Sequence, residues 1–299
     1  MPTPDYAITD EGCFDFENGI ITGYHYDDEN CSTDNVVFPA TINGNIVTDI
    51  GNNIVSYNKS FNKFDISKMT GLKKIGNNAF SNVKGISVNG FELVIPEGVT
   101  EIGNNAFEYY DEYYNNEDWT NTTNKLVLPN SLEKIGAAAF RNYGGLNADR
   151  LVIPNKVTRI ENDTFARFKG AAISLPSNLE YIGPRAFSAY QGNELILPNT
   201  ITEIGNSAFA SYNGSSLILP SSLTVLKADA FSNYNGSDVT IPHGVTEIGN
   251  FVFNSMDSNK KIIFEMTRAE YANVTKGSLW YGNAQVYCIE NNAEVLCES

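Results

Sequence analysis

The sequence predicts a right-handed β-rich solenoid of about eight coils, with short parallel strands and a cap at each end. Three observations predict it. Prolines fall in register at Pro96, Pro129, Pro154, Pro176, Pro198, Pro220 and Pro242, the last four steps being 22 residues each. Eleven residues after each stands a phenylalanine: Phe107, Phe140, Phe165, Phe187, Phe209, Phe231 and Phe253. Between these anchors apolar residues alternate with period two, as in Leu195, Leu197 and then Ile201, Ile204, which describes short extended strands rather than an amphipathic helix. A period of this size is the signature of stacked coils.

Each element of the coil has a reason. Proline lacks an amide donor and so ends the first strand of each coil. The glycine of the recurrent Ile-Gly pair, as at Gly76, Gly103, Gly136, Gly183, Gly205 and Gly249, allows a bend after the second strand. Phe80 marks a further, less regular coil in which Met69 takes the proline column. Three residues beyond the phenylalanine runs a second aromatic column, Tyr110, Tyr143, Phe168, Tyr190, Tyr212 and Tyr234, with Met256 last. Glycines two residues on, such as Gly192, Gly214 and Gly236, mark the turn into the next coil. The tyrosines read as a ladder of half-buried rings, in preference to a stacking platform for sugars. One coil cannot bury five or six large side chains, each contributing about 1.5–3 kcal/mol on full burial, so stacking is obligatory. In domain terms, residues 1–60 form an entry cap with a first irregular repeat, residues 61–256 the array, with an insertion at about 108–123, and residues 257–299 the closing cap.

The bulk numbers narrow the function. The chain has 299 residues, 42% of them hydrophobic, and a formal charge of −15. That charge repels phosphate backbones, and no Lys/Arg cluster is expected to override it, so nucleic acid is excluded as a partner. No apolar run approaches the roughly 18 residues of a membrane helix, so no membrane insertion is expected in this segment. Cys13, Cys31, Cys288 and Cys297 stand in two local pairs whose spacing does not suit zinc; two disulfides and four free thiols both remain open. No cofactor or metal is implied: Asp27, Asp28 and Glu29 lack the grammar of a calcium loop, and His25 and His243 read as surface residues. No nucleophile–base pair, phosphate loop or metal motif stands out, so the chain is read as non-catalytic.

The strings "LVIPEGVTEIGNNAF" and "LILPNTITEIGNSAF" resemble the repeat of the BspA-like leucine-rich repeat family of bacterial cell-surface proteins. "FDFENGIITGY" with "VVFPATINGNIVTDIGNN" is similar to that family's entry cap, and "TRAEYANVTKGSLWYGNAQVYCI" to its closing segment. The resemblance implies a leucine-rich-repeat superhelix and a secreted or cell-surface module for adhesion or for recognition of a host or cell-surface protein or glycan. It supplies no shared active site. The opening residues are not expected to form an export signal, and the resemblance favours a mature segment whose signal has been removed over a cytosolic protein. The competing reading is a purely structural spacer within a larger surface protein.

Two features exceed what stacking requires. The step from Pro96 to Pro129 is 33 residues, and the inserted residues set Tyr109, Tyr113, Tyr114 and Trp119 among Asp111, Glu112, Glu117 and Asp118, a composition suited to sugars or to a partner protein. The middle residue of each first strand must point away from the core: Val94, Val127, Val152, Ser174, Ile196, Ile218 and Thr240. That row forms an apolar outer face available to a partner or second subunit, or else reflects β-propensity alone.

Overall fold

The structure, a computed structural model, describes residues 7–54, 64–81, 83, 92–108, 125–143, 150–168, 172–192, 195–214 and 217–298. It is a β-solenoid of about nine turns, in which each coil has three sides. The count exceeds the expected eight because the ladders run on into both end segments: Ile20–Tyr24 and Asp49–Ile50 join at one end, Thr275–Lys276 at the other.

The first side carries the strand that ends at proline. Its strands pair in parallel and in register, Glu92–Val94 with Lys125–Val127, Leu151–Val152 with Ile173–Ser174, and Val239–Ile241 with Lys261–Phe264. Proline then does more than stop the strand. In all seven regular coils its carbonyl accepts the amide of the third residue on, as Pro96 does from Val99, at 3.0–3.3 Å. Leu72 donates to Met69 in the same way at 3.0 Å, so Met69 does fill the proline's place.

The second side is built from the strand before glycine. Two six-stranded ladders run along it, one from Phe14–Glu17 to Lys134–Ile135 and one from Arg159–Ile160 to Thr275–Lys276. The glycines here answer to close approach rather than to a special dihedral angle. A Cβ on Gly103 would sit 2.7 Å from the Asn77 amide nitrogen, and one on Gly136 2.5 Å from that of Asn104. Beside them an asparagine column extends the bonding: Asn52 Oδ1 accepts from the Asn77 amide at 2.7 Å, Asn77 from Asn104 at 2.8 Å and Asn104 from Ala137 at 2.9 Å.

The third side holds the phenylalanines. Two left-handed residues flank each of the rings Phe140, Phe165, Phe187, Phe209 and Phe231, Arg185 (φ 54°) and Ala189 (φ 54°) around Phe187 being one pair. This aims three alternate amides at the next coil: Arg185, Phe187 and Ala189 donate to Asn206, Ala208 and Ala210 at 3.0, 2.8 and 2.7 Å. A left-handed non-glycine residue costs about 1 kcal/mol or more, and these cross-coil bonds hold it there.

Inside, the Phe column is fully buried from Phe80 to Phe253. Successive rings from Phe80 onward stack at 5.2–5.7 Å and within 12° of parallel. The tyrosine column is not half-buried, as the sequence reading has it, but enclosed: Tyr143, Tyr190, Tyr212 and Tyr234 are all buried. That explains the glycines two residues later. A Cβ on Gly192 or Gly214 would lie 2.0 Å from the hydroxyl of Tyr190 or Tyr212, so the glycine makes room for a phenol, and a turn dihedral is not its reason.

Both ends close alike. A hairpin of Phe14–Glu17 with Ile20–Tyr24 adjoins the disulfide Cys13–Cys31, and a hairpin of Gln285–Glu290 with Ala293–Leu296 is tied by a disulfide from Cys288 to Cys297 just past its end. All four cysteines are therefore paired, which resolves the alternative left open by spacing. The hairpins cover the exposed edges that a bare stack would offer to another chain.

The second-side ladder is interrupted once among the described residues, between Lys134–Ile135 and Arg159–Ile160. Third-side bonds cross the gap, from Ala138, Phe140 and Asn142 to Asn162, Thr164 and Ala166. Buried Thr164 stands in the alanine column there; its Oγ1 donates to Glu161 O at 2.9 Å, with Gly136 O of the preceding coil 3.3 Å away.

Candidate binding site

The outer row falls where the strand alternation places it, on the solvent side of the first sheet. Ile196 and Ile218 bridge directly, and with Val152 they are 54%, 62% and 61% exposed. Val94 and Val127 are paired in register but only partly exposed, and Ser174 beside Val152 is likewise intermediate. The apolar face is therefore concentrated on Val152, Ile196 and Ile218 rather than spread evenly along the array. Thr240 continues the row as an exposed polar residue. The four insertion aromatics, Tyr109, Tyr113, Tyr114 and Trp119, lie outside the described residues.

The second side presents charge instead. Glu101 is clamped between Lys74 and Lys134, both at 3.0 Å, over a recess of about 300 Å³ lined also by Asn52, Asn77 and Asn104. The hydrogen bond from Lys134, with Lys74 on its other flank, holds the Glu101 carboxyl below its ordinary range despite partial burial. Arg159 lies 3.9 Å over the Tyr181 ring, and Lys227 sits between Glu203 and Glu247 at 3.6 and 3.7 Å. These groups neutralise one another coil by coil.

The remaining candidates for chemistry are spoken for. His25 Nε2 lies 3.0 Å from Asp15, whose hydrogen bond raises the imidazole pKa, and His243 lies 3.2 Å from Glu270. Glu270 completes the capping box of a short α-helix, Arg268–Tyr271, and the Thr267 amide lowers its pKa. Asp28 accepts both the backbone and the side-chain amide of Asn30 at 2.9 Å, so the acidic run of the entry cap is a self-bonded turn. Burial raises the phenol pKa of Tyr143 and Tyr190 well above the usual value, which leaves them no acid–base role near neutral pH.

Two features escaped the sequence reading. Contrary to the expectation that no basic cluster overrides the negative charge, residues 125–192 hold nine Lys/Arg against five Asp/Glu, in a chain of 20 against 35. The signal was present: five of the six arginines fall between residues 141 and 185. Phe251 and Leu279 were also missed; both are exposed in left-handed conformation near the closing end.

The family comparison agrees with this architecture. A family model described as the BspA type leucine-rich repeat region matches in six copies, over residues 16–114, 113–236 and 190–274. Among solved structures, a leucine-rich cell surface protein from Faecalibacterium prausnitzii is 17% identical, with a TM-score of 0.43 over 88% of this chain and 95% of that one. A leucine-rich repeat protein of T. pallidum is 20% identical, with a TM-score of 0.49 over 67% of this chain and 85% of that one. One from Bacteroides ovatus is 18% identical, with a TM-score of 0.39 over 93% and 97%. No curated protein matches the chain.

Proposed function

The chain belongs to the BspA-type leucine-rich repeat family, and from that premise we propose that it is a recognition module displayed outside the cell, binding a host or cell-surface protein through the first-side sheet. Proteins of this family are typically surface proteins, and leucine-rich repeat modules are non-enzymatic. The observation that carries the reading is the exposure of Val152, Ile196 and Ile218 along the parallel-paired first side, in a chain whose other core-forming columns are enclosed. Branched apolar side chains in water gain nothing for folding, whereas the centre of a protein interface is depleted in charge and built around such groups. The two disulfides support an oxidising compartment, where such bonds form and persist.

The test is a binding screen of the folded protein against extracellular matrix proteins and glycans, repeated with Val152→Lys, Ile196→Lys and Ile218→Lys. The reading expects a partner whose binding falls for these variants while their thermal unfolding matches wild type. A partner retained in full by all three variants would place the interface elsewhere. No partner for wild type would leave the spacer reading in its place.

A further inference from the structure

The basic region of residues 125–192 is not spread evenly. Arg141, Arg167 and Arg185 come from three consecutive coils and meet on the third side, where they line a recess of about 250 Å³ beside the ladder interruption. Two carboxylates hold two of the guanidiniums in place. Arg185 grips Asp163 in a fork, Nε to Oδ1 at 2.9 Å and Nη2 to Oδ2 at 2.7 Å; Arg141 Nε meets Glu108 at 2.8 Å. The carboxylate side chains are largely enclosed, 15% exposed for Asp163 and 13% for Glu108, so they position the arginines more than they face solvent. Among the described residues Arg167 has no carboxylate within ion-pair distance. Among the described residues at the recess, three positive charges thus stand against two negative ones.

The recess is also rigid. Asn142, Asp163, Arg167 and Arg185 all have φ between 54° and 57°, and each donates its amide to the next coil, to Ala166, Pro184, Ser188 and Asn206 at 2.7–3.0 Å. The backbone therefore presents the arginine stems from set positions, and the ion pairs hold the heads of Arg141 and Arg185, so little beyond the Arg167 head has to order when a ligand arrives.

We propose that this recess binds the carboxylate of a sugar acid within an acidic glycan. The arginine fork matches a carboxylate in two parallel hydrogen bonds, and the unmatched charge asks for one anion. The rest of the lining is Asn142 and Ser188, an amide and a hydroxyl suited to ring hydroxyls, with Asp163 committed to Arg185 and only the methyl of Ala166 apolar. An acidic peptide would anchor through buried aromatic or aliphatic side chains, for which the recess has no apolar wall. Its volume falls below the roughly 300–1,000 Å³ of drug-sized sites, room for one ring rather than a nucleotide. The chain's overall −15 does not veto an anion here, because screening over about 8 Å lets the nearby arginines set the local field. This site lies on a different side from the apolar row and does not depend on it.

The experiment is calorimetric or ligand-observed NMR titration of the whole protein with a glucuronate-terminated disaccharide, its methyl ester, a tetraglutamate peptide and inorganic sulfate. The acid should bind, and the neutral ester should bind about tenfold or more weakly, as loss of a charge-assisted hydrogen bond requires. Arg167→Gln should weaken the acid by a similar factor, while Lys227→Gln, on another side, leaves it unchanged. Arg167→Gln breaks no internal ion pair, so its folding is secure even where Arg185→Gln disturbs the recess. The proposal is overturned if the ester binds as well as the acid, if tetraglutamate or sulfate binds as tightly, if Arg167→Gln has no effect, or if the acid shows no binding at millimolar concentration.

Discussion

The phenylalanine column and the outer row of the first strand repeat with the same period and obey opposite rules. In the column the residue never changes from Phe80 to Phe253, and every ring is buried. In the row Val94, Val127, Val152, Ser174, Ile196, Ile218 and Thr240 vary in size and polarity, and their exposure varies too. Interior positions must match their copies above and below because coils a ring's thickness apart share one packed space. Outer positions answer only to solvent and to whatever binds there. Repetition therefore marks architecture, and departure from repetition marks the places free to acquire function.

The contrast can be broken or sharpened by substitution. The largest effect is expected for Phe187→Ala, mid-column, which should cost about 3–5 kcal/mol in denaturant unfolding because the neighbouring coils cannot close over a ring-sized void. A loss below about 1 kcal/mol would contradict the burial. Next, Gly214→Ala should cost about 1–3 kcal/mol by forcing a methyl against the end of the Tyr212 ring, whose hydroxyl and Cζ would lie 2.0 and 2.1 Å from it, and Tyr212→Leu in the same chain should relieve that clash. If the two changes are simply additive, the glycine is there for another reason.

Tyr143→Phe reverses the usual sign. Among the described residues the buried Tyr143 hydroxyl has no hydrogen-bond partner, and Phe168 already fills the same column one coil on. Removing the oxygen should raise stability by about 1 kcal/mol, the cost of an unsatisfied buried hydroxyl. Equal or lower stability would show that the oxygen is satisfied in solution.

Ile196→Lys should move stability by less than about 0.5 kcal/mol, as an exposed site does; a larger loss would mean that the row is structural. The smallest effect belongs to Glu101. Its folded pKa lies below the usual 4.5, so its contribution is present above that value and is lost as pH falls through the lowered one. Glu101→Gln should flatten the stability profile in that acidic window alone, and by little, since Lys74 and Lys134 are solvent-exposed.

How much of this was legible in the sequence depends on whether a constraint repeats. The Phe column, the strand-ending prolines and the paired strands were legible because every coil restates them. The left-handed positions were not, since Ala138, Arg185, Ser207 and Phe251 carry no residue-type signal for such a backbone; bonds from the next coil impose it. The reason for Gly192 and Gly214 was hidden for a similar cause: it lies in where a tyrosine hydroxyl ends. Arg141, Arg167 and Arg185 stand 26 and 18 residues apart, off the 22-residue step, so no column reveals that they meet. The outer row was placed correctly by alternation, but its uneven exposure depends on neighbours that alternation does not specify.

The account rests on coils bonded to one another along a single interior, and amide hydrogen exchange reads that most directly. The amides of Phe107, Phe140, Phe165, Phe187, Phe209 and Phe231 each donate to the following coil at 2.8–3.0 Å and lie in the buried column. All six should exchange slowly and with similar protection, at free energies near that of global unfolding. Exchange of these amides at the rates of exposed loops would show that the coils are not stacked in this way.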